Sequence, residues 1–367
     1  MSTAKPSLEL LRTMTDEHVL RAIMAGGRMT RTEIAARTGI SKPTISDSVR
    51  RLAAAGLLAD TGERTTGRGR AGSYYSLVPD AGAALVAEIG PNGVLAEAVD
   101  AFGGIAASAR AELGRAPGAE QAAAALRRVA EQLSGSARLR CAVVSAADPV
   151  DRASGALVRL PDEPFLVGDL DPVAVLRSCV SGEVLVDNDV NWASCAERDR
   201  GAAREVDDFA YLHLGEGLGA AVVTDGEVRR GHRGLVGEIA HLITTGPSGT
   251  AIPFIEFFGE TGLRQPGTTA IDVAALRERY RPGPDQVLDD LARAVGGVVS
   301  AMVALVDPQL VVLGGSWGRD AEVLDALRRH PAPRTAEFAV AEVESPELTG
   351  ARARAVERLR ELIIRAA

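Results

Sequence analysis

The pattern of apolar and polar positions in residues 30–52 predicts two short helices that share a core. Thr30 and the glutamate three residues later form a capping box, so the first helix should run from Arg31 to Thr38 before Gly39 ends it in a left-handed turn. Ser41 caps the second helix. The residues that fall where two crossed helices need contacts are Ile34, Ala35, Ile40, Ile45, Val49 and Leu52. The segment therefore predicts a helix-turn-helix.

The outward face of the second helix is polar, and its side chains cannot all pack inward. Because the N-terminal end of such a helix usually enters the major groove of DNA, these residues are the candidates for contacting bases. They are Ser41, Lys42, Thr44, Ser46, Arg50 and Arg51. Taken alone, the helix pair could also be an ordinary helical hairpin.

A basic loop after the helix pair favours the DNA-binding alternative. Residues 57–59 and 73–77 predict two short strands, and the loop between them carries Arg64, Arg68 and Arg70 among glycines. Arginine suits the negative potential of a narrow minor groove or the phosphates beside it, and glycine lets the backbone approach the duplex. A solvated basic loop is the alternative. Helices and hairpin together predict a winged helix of α+β class over residues 1–82.

The charge distribution agrees with a small DNA-binding part on an acidic chain. Residues 1–82 hold twelve Lys or Arg against eight Asp or Glu, whereas the whole chain of 367 residues carries a formal charge of −8, which leaves −12 on the remainder. An acidic body disfavours indiscriminate binding to nucleic acid. With 46% hydrophobic residues the chain can bury a large core, and its length suits two or three domains.

No segment predicts a membrane span or a signal peptide. The most apolar stretch, residues 298–313, is interrupted by an Asp-Pro pair, so we expect a cytoplasmic protein. Cys141, Cys179 and Cys195 are an odd number at wide spacing, which favours reduced thiols in a core over disulfides or a metal cluster.

After a short linker at residues 79–83, strands and helices alternate to the end of the chain, which predicts an α/β body. The expected strands of a first lobe are residues 87–90, 94–100, 104–111 and 139–145, with a helix at 119–134. Three strands before a helix, and a strand after it, are typical of an actin-like or ribonuclease-H-like lobe. The expected strands of a second lobe are residues 209–214, 219–224 and 310–313. We predict lobe 1 at residues 83–206, lobe 2 at 207–345, and a C-terminal helix within 346–367, centred on 351–364, that packs back on lobe 1.

Five short motifs follow the predicted winged helix in order. They are Asp187-Asn188-Asp189-Val190-Asn191, Gly215-Glu216-Gly217-Leu218-Gly219, Gly231-His232-Arg233-Gly234, Gly237-Glu238-Ile239-Ala240-His241 and Val312-Leu313-Gly314-Gly315. In this order, and after a winged helix, they resemble the motifs of the ROK family of repressors and sugar kinases over nearly the whole chain. The resemblance implies a two-lobed body with a ligand cleft between the lobes.

The resemblance also implies which residues bind a sugar. Asn188, Asp189, Glu238 and His241 stand where family members hydrogen-bond sugar hydroxyls, and Glu256 matches a further glutamate that contacts the sugar. Carboxylates and amides suit this task because adjacent hydroxyls donate as well as accept. From the residues alone, Asn188 and Asp189 could equally form a strand-end turn, and His241 is more typical of a satisfied, partly buried histidine.

The chain departs from the family at its zinc and nucleotide positions. Pro247, Gly249 and Phe254 stand where family members have zinc-binding cysteines, so we expect no metal site. The Asp-x-Gly-x-Thr phosphate loop of the kinases is replaced by Glu-Ile-Gly-Pro-Asn at residues 88–92, and Glu216 adds a charge to a second phosphate loop. The kinases' catalytic base corresponds to Asp189, but a base without a positioned phosphoryl donor gives no transfer. We therefore expect neither a cofactor nor catalysis.

These observations favour a transcriptional regulator, with repression as the expected sign, that binds double-stranded DNA and senses a sugar or sugar derivative. A homodimer, or a tetramer, would place two winged helices on an inverted-repeat operator. One alternative is an active ATP-dependent sugar kinase with a DNA-binding arm. The other is a regulator that works without a ligand.

Overall fold

The computed structural model describes residues 8–66, 71–90, 93–114, 118–160, 167–280, 286–330 and 336–367. A small N-terminal domain, which we call the head, precedes a body of two lobes. The elements of the head are α1 (Leu8–Gly26), β1 (Met29–Thr30), α2 (Arg31–Thr38), α3 (Lys42–Ala54), β2 (Leu58–Arg64) and β3 (Ser73–Leu77).

The head is a winged helix, as predicted. Helix α2 has the predicted bounds because Thr30 and Glu33 cap each other, and Gly39 ends it with a left-handed φ of 72°. The strands form one sheet in the order β1-β3-β2. Helix α1 was not anticipated from the sequence patterns. Its buried residues, among them Leu20 and Ile23, join the same core as α2 and α3, and so enlarge a core that two short helices alone leave open.

Lobe 1 is built on a five-stranded sheet in the order β6-β5-β4-β7-β8. Its elements are β4 (Ala83–Gly90), β5 (Gly93–Val99), β6 (Ile105–Glu112), α4 (Ala119–Ser134), β7 (Leu139–Ala146), α5 (Pro172–Leu176), β8 (Val184–Asn188) and α6 (Asp189–Arg200). Strands β4, β5 and β6 are antiparallel neighbours, whereas β4, β7 and β8 run parallel. Strand β4 begins four residues earlier than predicted, so Ala83 belongs to the sheet rather than to the linker.

Lobe 2 repeats this strand order on a second five-stranded sheet, β11-β10-β9-β14-β15. Its elements are β9 (Phe209–Leu214), β10 (Leu218–Thr224), β11 (Glu227–Val228), a 3-10 helix (Ile239–His241), β12 (Ile243–Thr245), β13 (Ala251–Pro253), α7 (Phe254–Glu260), α8 (Val273–Tyr280), α9 (Gln286–Val306), β14 (Leu310–Gly314), α10 (Ala321–Arg329) and β15 (Glu337–Val340). Strands β9, β14 and β15 are parallel, as their counterparts in lobe 1 are. The body therefore has the two-lobed actin-like architecture that was predicted.

The chain ends in α11 (Pro346–Arg365), which packs against α6, β7 and β4 of lobe 1 and also touches α1 of the head. The helix starts five residues before the predicted apolar stripe, with Pro346 in its first turn. The buried stripe of α11 consists of Leu348, Ala351, Ala355, Leu359 and Ile363. Because this stripe shares one core with the head and with lobe 1, α11 connects the two domains.

Among the described residues, none of the helices combines the length and the apolar composition that crossing a bilayer requires. All three cysteines are free thiols; Cys141 is buried, and Cys179 and Cys195 are partly buried.

Candidate functional site

The helix-turn-helix of the head is held by its caps. The Thr30 hydroxyl accepts from the Glu33 amide at 3.2 Å, and the Glu33 carboxylate accepts from the Thr30 amide at 2.7 Å. At the start of α3, the hydroxyls of Ser41 and Thr44 are hydrogen-bonded to each other at 2.8 Å. These local bonds stabilise the first turns of α2 and α3.

The candidate base-contacting residues are mostly exposed. Lys42, Thr44 and Arg50 project into solvent beside Ser41, whereas Ser46 is half-buried. Arg50 pairs with the exposed Asp47 one turn earlier on the same helix, and exposed pairs of this kind are weak and exchange partners readily. Four polar side chains therefore remain accessible on one end and one face of α3.

Arg51 differs from these candidates because it is partly buried and engaged within the head. Its guanidinium pairs with Asp16 of α1, donating from Nη2 at 2.6 Å and from Nε at 3.1 Å, and the Ser48 hydroxyl donates to the same carboxylate. Asp16 is only 6% exposed. A buried carboxylate needs such partners because burying an uncompensated charge is costly. Arg51 therefore holds α3 to α1, although its side chain is 36% exposed.

Asp16 itself was missed in the sequence, although a signal for it was present. It lies on α1 three, four and seven residues before the buried Val19, Leu20 and Ile23, which places it on the apolar stripe of the helix. A carboxylate at such a position indicates a partner elsewhere in the fold.

The predicted wing is the hairpin of β2 and β3, which pair antiparallel from Leu58 to Arg64. The side chain of Arg64 is half exposed and donates to Asp60 at 2.9 Å. Arg68 and Arg70, the other two basic candidates, lie outside the described residues. At the base of the loop, the amide of Thr65 donates to the Gly72 carbonyl at 2.9 Å and the amide of Gly72 donates to the Thr65 hydroxyl at 2.8 Å.

In the body, Asn188 ends β8 and caps α6. Its side-chain oxygen accepts from the Val190 amide at 3.0 Å, and its side-chain nitrogen lies 3.2–3.3 Å from the carbonyls of Ala146, Ala147 and Asp148. The amide therefore ties the end of β8 to the loop after β7. This is the strand-end role that the residues alone suggested. A sugar that bound Asn188 would meet a side-chain amide that is already hydrogen-bonded to the backbone.

Asp189, the next residue, lies among other carboxyl groups. Burial, together with the charges of Glu347, Glu88 and Glu238, raises the pKa of Asp189 to about 8. Burial also raises the pKa of Glu88, with Glu347 adding to the effect, and burial raises the pKa of Glu347. We call these four residues the carboxyl cluster. They come from β4, the start of α6, the segment before the 3-10 helix, and the first turn of α11.

The other predicted sugar ligands, Glu238, His241 and Glu256, do not form one cluster. The 3-10 helix follows Glu238, which is partly buried, and ends at His241, whose side chain is exposed and forms no hydrogen bond or ion pair with any described residue. Glu256 on α7 is half exposed and pairs with Arg264 at 3.1 Å. Among the five candidates, Glu238 lies near enough to Asp189 for its charge to raise the pKa of that residue.

Strand β9 presents two neutral side chains near this region. Burial lowers the pKa of His213 to about 4, so its imidazole is uncharged at neutral pH. Burial raises the pKa of Tyr211, and the nearby charges of Glu197, Glu347 and Asp189 raise it further. Tyr211 therefore lies within the electrostatic reach of the carboxyl cluster as a phenol, not a phenolate.

The second predicted phosphate loop is the tight turn between β9 and β10. The Gly215 amide donates to the Gly217 carbonyl at 3.1 Å, and the side chain of Glu216 is exposed. Trp317 supports this turn from behind, because its buried indole N–H donates to the Gly215 carbonyl at 2.8 Å. Gly315 has a φ of 81°, and a Cβ there would lie 2.4 Å from the Leu214 carbonyl oxygen. The glycine pair before Trp317 therefore permits a close backbone approach.

An ion pair joins the lobes beside the carboxyl cluster. Arg230, just after β11, donates to buried Asp187 of β8 at 2.6 and 2.7 Å. Asp187 also accepts from the Asn191 side chain at 2.7 Å, and Arg152 of lobe 1 donates to the Gly231 carbonyl at 2.9 Å. The sequence motifs contained Asp187 but gave no reason to connect it with Arg230.

The residues around His241 do not fit a zinc site. Pro247, Gly249 and Phe254 offer no metal-binding side chain, and Phe254 is buried in the core of lobe 2. Within the described ranges, no group of three or more His, Cys, Asp or Glu is placed to hold a metal ion. The β12–β13 hairpin is held instead by packing and by the Thr244 hydroxyl, which donates to the Ala294 carbonyl at 2.6 Å.

Comparisons with known proteins match the body and the head separately. The sequence model of the ROK family matches residues 88–354, and that of the MarR family matches residues 15–69. A bifunctional enzyme NanE/NanK of Brucella suis is 29% identical over 161 residues, which are 42% of this chain and 30% of that enzyme. A glucokinase of Thermotoga maritima is 29% identical over 175 residues, covering 39% of this chain and 53% of the kinase. The matches span about a third to a half of the length of these relatives.

Among solved structures, a ROK family transcriptional regulator described as a homolog of the E. coli MLC protein superimposes with a TM-score of 0.66. The superposition covers 96% of this chain and 99% of that chain at 16% sequence identity. At this identity the likeness concerns the fold, and it extends over head and body together.

Proposed function

Because this chain belongs to the ROK family and carries a MarR-type winged helix at its N-terminus, we propose that it is a transcriptional repressor whose body binds a carbohydrate-like ligand without phosphorylating it. The ligand lies between the lobes in this proposal. Its binding changes the geometry of the head and thereby the affinity for DNA.

The acidic residues of the candidate site, in the carboxyl cluster and on the second phosphate loop, support a sensor over a kinase. Glu88 opens the segment that corresponds to the first phosphate loop of the kinases, and burial raises its pKa together with that of Asp189. The exposed Glu216 adds a charge to the second phosphate loop, and two like charges about 4 Å apart repel by about 4 kcal/mol at an effective dielectric of about 20, so this loop disfavours nucleotide phosphates. Sugar hydroxyls, in contrast, donate hydrogen bonds to carboxylates and accept them from protonated carboxyl groups.

Coupling to DNA needs only a modest free energy. A hundredfold loss of DNA affinity corresponds to about 2.7 kcal/mol. The Asp187–Arg230 pair and the Arg152 contact connect the lobes beside Asp189, so closing the cleft on a ligand repacks these contacts. In a two-fold dimer, a shift of a few ångströms would move two α3 helices out of register with successive major grooves.

Replacing Glu238 by Gln is expected to weaken ligand binding at least tenfold, because a hydroxyl loses a charged acceptor. Isothermal calorimetry with hexoses, amino sugars and their phosphates identifies the ligand and measures the loss. Glu260→Gln, an exposed change on α7, is the matched control and should bind as the wild type does. A screen in which no compound binds would favour a regulator that works without a ligand.

The second candidate is an active kinase, and the pKa of Asp189 near neutrality suits a general base. Incubation with ATP and the same sugars decides between the two. We expect no phosphorylated product. Phosphorylation that Asp189→Ala abolishes would establish the kinase instead.

Replacing both Arg68 and Arg70 by Ala is expected to weaken binding to every duplex and to reduce the slope of log K against log salt by about 1.8, since each lost phosphate contact removes about 0.9. Fluorescence anisotropy with a duplex selected from a random library by the wild type measures both quantities. The control is Arg127→Ala with Arg128→Ala, an equal charge change on exposed positions of α4. An unchanged slope in the wing variant would remove the wing from the interface.

A substitution of Thr44 tests whether α3 contacts bases and so determines the DNA sequence that is bound. The exposed hydroxyl of Thr44 at the start of α3 would contact a base edge, so Thr44→Val should change the sequences that repeated selection recovers. Equal losses on all sequences would show that Thr44 does not specify bases.

A further inference from the structure

A cavity of about 830 Å³ lies where the head meets the body, and none of its lining residues belongs to the carboxyl cluster. Arg21 of α1 lines it from the head, and Phe102 and Ile105 line it from the turn between β5 and β6. Arg200 at the end of α6 and one face of α11, with Val356 and Arg360, complete the wall. The volume falls in the range of small-molecule sites, about 300–1,000 Å³.

Two arginines in this wall have no carboxylate partner among the described residues. Arg352 is neutralised by Glu97, to which it donates at 2.6 and 2.7 Å, and Arg21 by Glu17 at 2.9 Å. The two acidic residues of the wall form ion pairs with arginines that do not line the cavity. Glu357 pairs with Arg354, and Glu361 pairs with Arg358. The unbalanced charges of the cavity are therefore the guanidinium groups of Arg200 and Arg360.

Arg360 is also a structural contact between head and body. It donates to the Ala101 carbonyl at 2.7 Å in lobe 1, and its Nη2 lies 3.4 Å from the Met24 carbonyl of α1. The guanidinium keeps further N–H donors for an anion, and an anion bound to them would share Arg360 with α1 and so act on the position of that helix.

The same cavity has an apolar side. Phe102 is 40% exposed and Ile105 is 51% exposed, and both line the cavity together with the partly buried Val356. Exposed aromatic and aliphatic side chains beside unpaired guanidinium groups form a surface for an amphipathic anion.

We propose that this cavity binds a small organic anion, with its charged group on Arg200 and Arg360 and its apolar part against Phe102, Ile105 and Val356. It is a second ligand site, separate from the sugar-binding cleft, and it does not depend on the function proposed for that cleft. Its occupancy acts on the head directly, through the Arg360 contact with α1.

Two matched fluorescent probes test the site. The first is 8-anilinonaphthalene-1-sulfonate, and the second is N-phenyl-1-naphthylamine, which has the same aromatic body without the sulfonate. We expect the sulfonate to bind saturably, one per chain, and at least tenfold more tightly than the neutral probe. Equal affinity for the two probes would show that charge is not recognised and would overturn the proposal.

Variants locate the binding. Arg200→Gln should abolish the preference for the sulfonate, Arg200→Lys should keep most of it, and Phe102→Ser should weaken both probes. Arg128→Gln on α4 is the matched control and should bind both probes as the wild type does. Arg200 and Phe102 are exposed, so thermal unfolding should find these variants as stable as the wild type. If Arg200→Gln and Phe102→Ser bind like the control, the probes occupy another place and the cavity is not the site.

Discussion

Replacing Arg51 by Met is expected to destabilise the head by about 2–3 kcal/mol, because Arg51 pairs with a buried carboxylate. The change leaves the carboxylate of Asp16, which is 6% exposed, with only Ser48 as a side-chain partner. Removing one member of a buried pair costs about 3–5 kcal/mol, and the partial exposure of Arg51 lowers this figure. Since α3 loses its connection to α1, DNA affinity should fall on all sequences alike.

The neighbouring residue provides a matched control. Arg50→Met removes an exposed pair with Asp47 on the same helix and should change the unfolding free energy by less than about 0.5 kcal/mol. The double variant Asp16→Leu with Arg51→Met should recover most of the stability, because no buried charge remains. Urea unfolding of the three variants measures these differences. If Arg51→Met unfolds like the wild type but loses DNA affinity, Arg51 contacts DNA and its inward role is wrong.

Replacing Asp189 by Asn is expected to stabilise the body above about pH 8 by roughly 2–3 kcal/mol. Burial and the neighbouring glutamates raise the pKa of Asp189 from 3.8 to about 8. The folded protein therefore binds this proton more tightly than the unfolded chain does, and ionising Asp189 destabilises the fold. At about 1.4 kcal/mol per unit of pKa shift the upper limit is about 6 kcal/mol, of which we expect about half because solvent and side chains relax.

The sign of the pH dependence tests the same claim. Below pH 3.8 the carboxyl group is protonated in both states, so the variant and the wild type should be equally affected by pH. The advantage of Asp189→Asn should grow from about pH 4 to about pH 8 and then level off. Asp151 is the control of opposite sign, since hydrogen bonds from Ser154 lower its pKa, and Asp151→Asn should destabilise the protein at neutral pH. An advantage of Asp189→Asn that did not depend on pH would contradict the raised pKa.

How far the sequence predicts each feature depends on the distance along the chain between the residues involved. The bounds of α2 follow from Thr30, Glu33 and Gly39, which lie within ten residues of one another, and the structure confirms them. The ion pair of Arg51 was missed because its partner, Asp16, is 35 residues away. The same reason explains why Trp317, which supports a turn 102 residues earlier in the chain, was missed.

The candidate site divides in the same way. Local motifs pick out Asn188 and Asp189, and the cap that Asn188 forms on α6 is local too. The surroundings of Asp189 are not local, because Glu88 and Glu347 come from opposite ends of the body. From the sequence alone, Asp189 is an ordinary aspartate at the start of a helix, and nothing near it in the chain indicates that its pKa is raised.

The sequence by itself determined the caps, the alternation of strands and helices, the winged helix and the order of the family motifs, because these depend on neighbours along the chain and on periodic burial. Only the tertiary structure decided that the two lobes share one strand order without a visible sequence repeat, and that Arg51 pairs with Asp16. It also decided that α11 brings Glu347 to Asp189 and Arg360 to the head. These features arise when distant segments are packed together, and burial then sets the charge and the partners of each group.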